Sequence, residues 1–180
     1  MRTQMIESHI RKLKGTFGLK RPIDDDKLQK LYQARDYLGM AGAMMTLMNI
    51  DITVNLGLVN SGGPAGPAWI RRPQPFPFLF TPQYKMVEAT IYLRKSFLAE
   101  AKFESTVLAL SHEFSHIVLE STDSPLKGHE EAVDLTAMLL GFRDFYVTGS
   151  VVKGKNSDYR IGYLTGEEVS HAAWFMTYGV

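Results

Sequence analysis

A chain of 180 residues, 45% of them hydrophobic, is long enough for one sizeable core and too short for two full domains, so a single domain over residues 1–180 is expected. With 20 basic and 19 acidic side chains the formal charge is +1, which gives no bulk electrostatic argument for nucleic acid or an anionic membrane as a partner. There is no cysteine, which excludes a disulfide framework and a thiolate metal site; any zinc must be held by nitrogen and oxygen.

The amino-terminal stretch MRTQMIESHIRKLKG lacks the continuous apolar run of a signal peptide. Residues 38–50, the most apolar run, are too short and too Gly-interrupted to span a bilayer, so a soluble, cytoplasmic protein is expected. Arg2, Arg11, Lys12, Lys14, Lys20 and Arg21 outnumber Glu7 near the start, a local basic excess that a solvated helix face accounts for. Asp24, Asp25 and Asp26 then precede Leu28, Leu31, Leu38, Ala41, Met45 and Met48 at helical spacing, and acids at a helix start suit its dipole. This predicts one long amphipathic helix, with Met40, Met44, Met45 and Met48 as core filler and no copper or haem box.

Ile52, Val54, Leu56 and Leu58 alternate with Thr53, Asn55, Gly57 and Val59, and Val87, Ala89, Ile91 and Leu93 with Glu88, Thr90, Tyr92 and Arg94, which predicts strands with one face buried. Between them SGGPAGPAWIRRPQPFPFLFTP holds six of the eight prolines, so at most short edge strands fit there, around residues 69–71 and 78–80. The stretch reads either as a flap over a cleft, with Trp69, Phe76 and Phe78 touching substrate, or as a surface loop pinned by its aromatics.

Residues 112–116 read His-Glu-Phe-Ser-His within an apolar run, 105–119, that suits a helix covered on most of its circumference. Four residues of helix are about 400° of rotation and roughly 6 Å of rise, so His112 and His116 project from one face and can ligate one ion. Glu113, about 100° away, borders that face and can act on a water without binding the metal. Ordinary hydrogen-bonded core histidines are the competing reading, but buried histidines and a carboxylate need partners, and a metal supplies one.

A catalytic zinc takes three protein ligands plus water, and GHEEAVDLTAMLLGF offers the third. Glu130 and Asp134 are four apart on one helix face that continues through Ala137, Met138 and Gly141; Glu130 can ligate while Asp134 accepts a hydrogen bond from a ligand histidine and fixes its tautomer. His129, Glu131, Asp123 and Glu120 are rivals to Glu130, of which Glu131 lacks an acid four residues on. Thr165 and Glu168 form a capping box, with Leu164 and Val169 as a hydrophobic staple, so a last helix is expected from about 166 to 178.

The paired motifs resemble those of the gluzincin clan of zinc metallopeptidases, thermolysin among them, in which HExxH on one helix is followed by Glu-x-x-x-Asp on the next. The match rests on His112, Glu113, His116, Glu130 and Asp134 and covers about a third of the chain, with 86–94 as the strand before the active helix. The His116-to-Glu130 spacing is shorter than in thermolysin, and the chain looks more like compact gluzincins and the regulatory peptidases encoded near repressors in bacteria and mobile elements. The resemblance implies an α+β, zincin-like fold, with a small antiparallel or mixed sheet packed on the active helix and the glutamate-bearing one. It also implies Zn2+ held by His112, His116 and Glu130, Asp134 behind a histidine, and an edge strand that receives a peptide or protein substrate. Glu113 would then be the general base in peptide hydrolysis. A donor for the tetrahedral transition state is still required, and Tyr159, Arg160, Tyr163 and His171 are the candidates, His171 reading more readily as a structural helix residue. The alternatives are a zinc-binding regulatory module without useful hydrolysis and, last, a metal-free structural helix pair.

Overall fold

The computed structural model describes residues 2–153 and 158–179 and has an α+β architecture. α1 (Arg2–Phe17) buries Ile6, His9, Ile10 and Leu13, one helical stripe, while Arg2, Arg11 and Lys12 are exposed as expected and Lys14, half-buried, donates to Met176 O at 3.1 Å. The long helix expected next is two helices, α2 (Asp26–Gln33) and α3 (Tyr37–Met48). Arg35 adopts a left-handed φ of 55°, and the Asp36 carboxylate accepts the Gly39 N–H at 2.8 Å, so a helix cap interrupts the periodicity. Met40, Met44 and Met48 fill the core as expected, Met45 packs against it, and Leu38 is left exposed by the break.

The sheet is mixed, in the order β1 (Thr53–Val59), β3 (Glu88–Arg94), β2 (Ala68–Arg71). β3 runs parallel to β1, with Leu56 opposite Ile91, and antiparallel to β2, with Ile70 opposite the same residue. Central β3 buries Ala89, Ile91 and Leu93 as its alternation predicts. β1, at the edge, half-buries Val54 and Leu56 and exposes Leu58, because only one neighbour and one layer cover it. In the Pro-rich stretch β2 forms where a short strand was expected, but 78–80 turns: Thr81 N–H and Oγ1–H both donate to Phe78 O, and Phe80 has a φ of 70°. Leu79 N–H donates to Ser121 O at 2.7 Å, tying this turn to the end of the helix that carries HEFSH. α4 (Pro82–Lys85) precedes β3, and α5 (Lys95–Glu100) intervenes between the strand and the HEFSH helix.

α6 (Phe103–Ser121) carries the HEFSH string and is enclosed on nearly all sides, between β2, α3, α7 (Glu130–Ala137) and α8 (Arg143–Gly149). Phe114, Ile117 and Leu119 have no exposed surface. Phe114→Ala would leave a cavity costing about 3–5 kcal/mol, so packing as well as helix propensity fixes this segment. The face expected to run from Glu130 to Gly141 is interrupted after Ala137 by a π-type turn, Met138–Phe142, in which Gly141 has a φ of 106° and a Cβ would stand 2.7 Å from Arg21 O. A hairpin of β4 (Val151–Lys153) and β5 (Asp158–Arg160) leads to α9 (Gly166–Tyr178), whose capping box and buried Leu164 and Val169 match expectation. α1 packs on both α7 and α9, closing the layer behind the polar centre. Among the described residues no helix is long and apolar enough to cross a membrane.

Candidate metal centre

One turn of α6 separates His112 from His116, and their rings stand edge to face with centroids 5.1 Å apart. Glu130 is the first residue of α7, which docks beside α6. Its Oε2 lies 3.3 Å from His112 Nε2 and 3.5 Å from His116 Nε2, and one ligand atom from each of the three residues falls within 4.8 Å of the others. Ligands at about 2.0–2.1 Å from a tetrahedral zinc stand about 3.3 Å from one another, so the spacing fits such an ion. Glu130 Oε2 is itself buried and makes no well-directed hydrogen bond, an unmet acceptor that a cation would satisfy. Two imidazoles and a carboxylate are the donor set that zinc accepts in a catalytic site.

Asp134, one turn along α7 and with no exposed surface, stands behind His112. Its Oδ1 accepts His112 Nδ1–H at 2.8 Å. A carboxylate can only accept, so a proton sits on Nδ1, and once the proton on Nε2 is given up that nitrogen has a lone pair to ligate. Oδ2 accepts the backbone N–H of Tyr163 at 2.6 Å and of Leu164 at 3.1 Å, so the segment entering α9 closes around the same carboxylate. The buried Tyr146 hydroxyl lies by Ser111 and Asp134 without a well-directed hydrogen bond, and burial pushes its phenol far up.

Burial opposes the His112 cation, yet Asp134 and Glu130 outweigh it and raise the ring to about 10. His116 is held down, by burial first and then by the His112 charge, and is therefore neutral and ready to donate a lone pair. The His112 cation, working against burial, draws the Glu130 carboxyl below its ordinary range. Glu113 is 6% exposed, and burial, countered by His112 and aided by Glu130, raises it to about 7; the Ile70 backbone N–H on β2 faces its carboxylate. A carboxyl poised near neutrality can both take and return a proton.

His112 and Glu113 open on a cleft of about 270 Å³ walled by Gly66 and Ala68 on one side and Arg160 and Tyr163 on the other. The Tyr163 ring stacks on His112 with centroids 5.8 Å apart and is half-exposed. Burial raises its phenol, with Glu130 and Glu113 adding to the effect, so it stays a hydroxyl donor at neutral pH. Arg160 also borders the cleft and donates to Tyr163 O at 3.0 Å. His171 is not brought here: its Nε2 pairs with Glu7 at 3.1 Å and its ring stacks on Phe175, as befits a structural helix residue. The Tyr159 side chain lies outside the described residues.

The rivals to Glu130 are engaged elsewhere. The His129 ring packs on His9, Glu131 pairs with Arg2 at 3.7 Å, Asp123 with Lys127 at 2.6 Å, and Glu120 with Arg72 at 3.0 Å. None of the expected flap aromatics borders the cleft: Trp69 stacks on Tyr92 beneath Arg94, Phe76 is buried near Tyr84, and Phe78 is exposed. The Gly66–Pro67 end of that stretch does border it, held by Arg94, whose guanidinium donates to Gly66 O and Pro64 O, each at 2.7 Å. Two neighbours were not anticipated. Arg72 brings a largely buried positive charge within electrostatic reach of Glu113, His116 and Glu130, and the signal for its place was Glu120, one turn beyond His116. Gly162 abuts Asp134, and no local pattern in the sequence links the two. No family model, curated protein or solved structure matches the chain.

Proposed function

We propose that this chain is a zinc-dependent peptidase of compact gluzincin type, with a zincin-like arrangement of sheet and helices, that hydrolyses a peptide bond in a specific protein or peptide partner. The observation that carries the reading is the unmet Glu130 Oε2 standing between two histidine Nε2 atoms, with Glu113 buried alongside and a cleft that reaches His112 and Glu113 on α6. His112, His116 and Glu130 would hold the zinc. When bound, zinc supplies a Lewis acid that acidifies water and polarises the scissile carbonyl. Glu113 takes a proton from water at Oε and returns it to the leaving amine, the two directions a carboxyl with a pKa of about 7 can serve. Asp134 keeps the His112 proton on Nδ1 throughout. Tyr163 offers its hydroxyl to the carbonyl oxygen as charge develops there, and its seat at the cleft wall favours it over His171 for that role. Ala68 and Ile70 on edge strand β2 offer backbone groups to an extended peptide.

The test is to incubate zinc-loaded wild type and Glu113→Gln with a complex peptide mixture and to map new termini by mass spectrometry. New termini should appear with wild type and fall by about 10²–10⁴-fold with the variant, zinc content being equal. A wild type that carries zinc and generates no termini the variant lacks would instead identify a zinc-holding regulatory module.

A further inference from the structure

The turn that closes around Asp134 gathers three hydrogen bonds on one buried carboxylate. Asp134 Oδ2 receives two consecutive backbone N–H groups, Tyr163 and Leu164, while Oδ1 holds His112. The Tyr163 carbonyl, one peptide on, accepts from Arg160 at 3.0 Å and from Arg2 at 3.4 Å. Such an approach of backbone to a fully buried carboxylate demands a residue without a side chain just before it. Gly162 is that residue: its φ is 83°, and a Cβ there would lie 2.9 Å from Asp134 Oδ2 and 3.0 Å from Oδ1. Those distances are too short for a carbon against a carboxylate that cannot retreat, since Asp134 has no exposed surface and three hydrogen bonds fix it. The left-handed φ is a second, independent demand for glycine.

We infer that Gly162 is a positioning residue for His112: it admits the 162–164 backbone to Asp134, which in turn sets the tautomer and direction of the His112 ring. Any side chain at 162 has to push Asp134 or the turn aside, and either movement lengthens the Asp134–His112 hydrogen bond. The zinc arm of the test rests on the proposed function; the hydrogen-bond arm does not.

Wild type, Gly162→Ala, Asp134→Ala and the double variant are compared as full chains, with Gly166→Ala as a control, a position where a Cβ meets nothing within 4 Å. In the metal-free protein the His112 Nδ1 proton should appear by ¹⁵N-resolved imidazole NMR as a slowly exchanging, downfield resonance in wild type and in Gly166→Ala. It should be lost in Gly162→Ala. In the zinc arm, competition against a chromophoric chelator should show affinity lowered about 10–100-fold by Gly162→Ala, the range for an orienting partner of a ligand. The double variant should bind zinc no more weakly than Asp134→Ala alone, because both changes act through one carboxylate. If Gly162→Ala does not fold, Gly162→Asn takes its place, since Asn accepts the left-handed φ yet keeps the Cβ. A variant that retains the Nδ1 resonance, or whose effect adds fully to that of Asp134→Ala, overturns the inference. A wild type that shows the resonance but takes up no zinc supports the inference and overturns the proposed function.

Discussion

Among the described residues two groups of side chains bring possible metal ligands within 4.8 Å of one another, and little else about them is alike. Asp24, Asp25 and Asp26 are consecutive at the start of α2, largely open to water, and Asp24 already accepts the Asp26 N–H at 3.2 Å. Three solvated carboxylates beside a helix N-terminus are accounted for by the dipole. His112, His116 and Glu130 come from two helices, are withdrawn from water to different degrees, and leave a buried carboxylate oxygen without a well-directed hydrogen bond. Proximity of ligand atoms is therefore a weak signal by itself. What separates the groups is an unmet polar atom and a neighbour, Asp134, whose hydrogen bond aims one of the ligands.

The largest effect that tests this contrast is removal of a ligand. His116→Ala or Glu130→Ala should reduce bound zinc, measured by elemental analysis after gel filtration, from about one per chain to none. Retention of stoichiometric zinc by either variant would break the assignment. Asp134→Asn, which keeps the volume but loses the anionic acceptor, should weaken zinc binding by about 10–100-fold in chelator competition. A second kind of effect follows from protonation in the metal-free chain. His112 is raised to about 10 from an ordinary 6.5, and Glu113 to about 7 from 4.5, so over these windows the folded state binds more protons than the unfolded one. Their contribution is fully present below about pH 4.5 for Glu113 and about 6.5 for His112, and it is lost as pH climbs through about 7 and about 10 respectively. His116, held down to about 4, acts in the opposite sense below about pH 6.5, and the net loss between pH 6 and 9.5 is about 4 kcal/mol. The Tm of the metal-free protein, read by circular dichroism, should therefore fall by about 8–16 °C over that interval, at about 2–4 °C per kcal/mol for a chain of this size. Zinc affinity should rise over the same interval, because the ion must displace the His112 proton. The smallest effect belongs to the other group: replacing Asp24, Asp25 and Asp26 together with Asn should leave zinc content unchanged and shift stability by less than about 1 kcal/mol in denaturant titration. A loss of zinc there would erase the distinction.

The features that sequence reasoning reached are those written in local spacing. His112 and His116 share a face because they are one turn apart, as are Glu130 and Asp134, and the Thr165–Glu168 capping box marks a helix start within four residues. Docking of α7 on α6 then brings the two pairs together. The break at Arg35–Asp36 was hidden because apolar residues on both sides keep a helical rhythm, although Asp36 three residues before Gly39 is an N-cap pattern. The alternation in β1 predicts a buried face where Val54 and Leu56 are only half-buried and Leu58 is exposed, since alternation does not tell an edge strand from a central one. Arg72 and Gly162 were out of reach for another reason. Their partners are 48 residues away in one case and, for the turn at Gly162, 29 in the other, so only the folded chain brings them together.

The Tyr163 and Leu164 amides sit in a short connection at the molecular surface, where backbone hydrogens ordinarily trade with solvent in moments. Ending on a fully buried carboxylate, they can do so only when the whole junction opens. Their deuterium uptake is thus a gauge of how often α6, α7 and the C-terminal helix come apart, legible without any metal or substrate in hand.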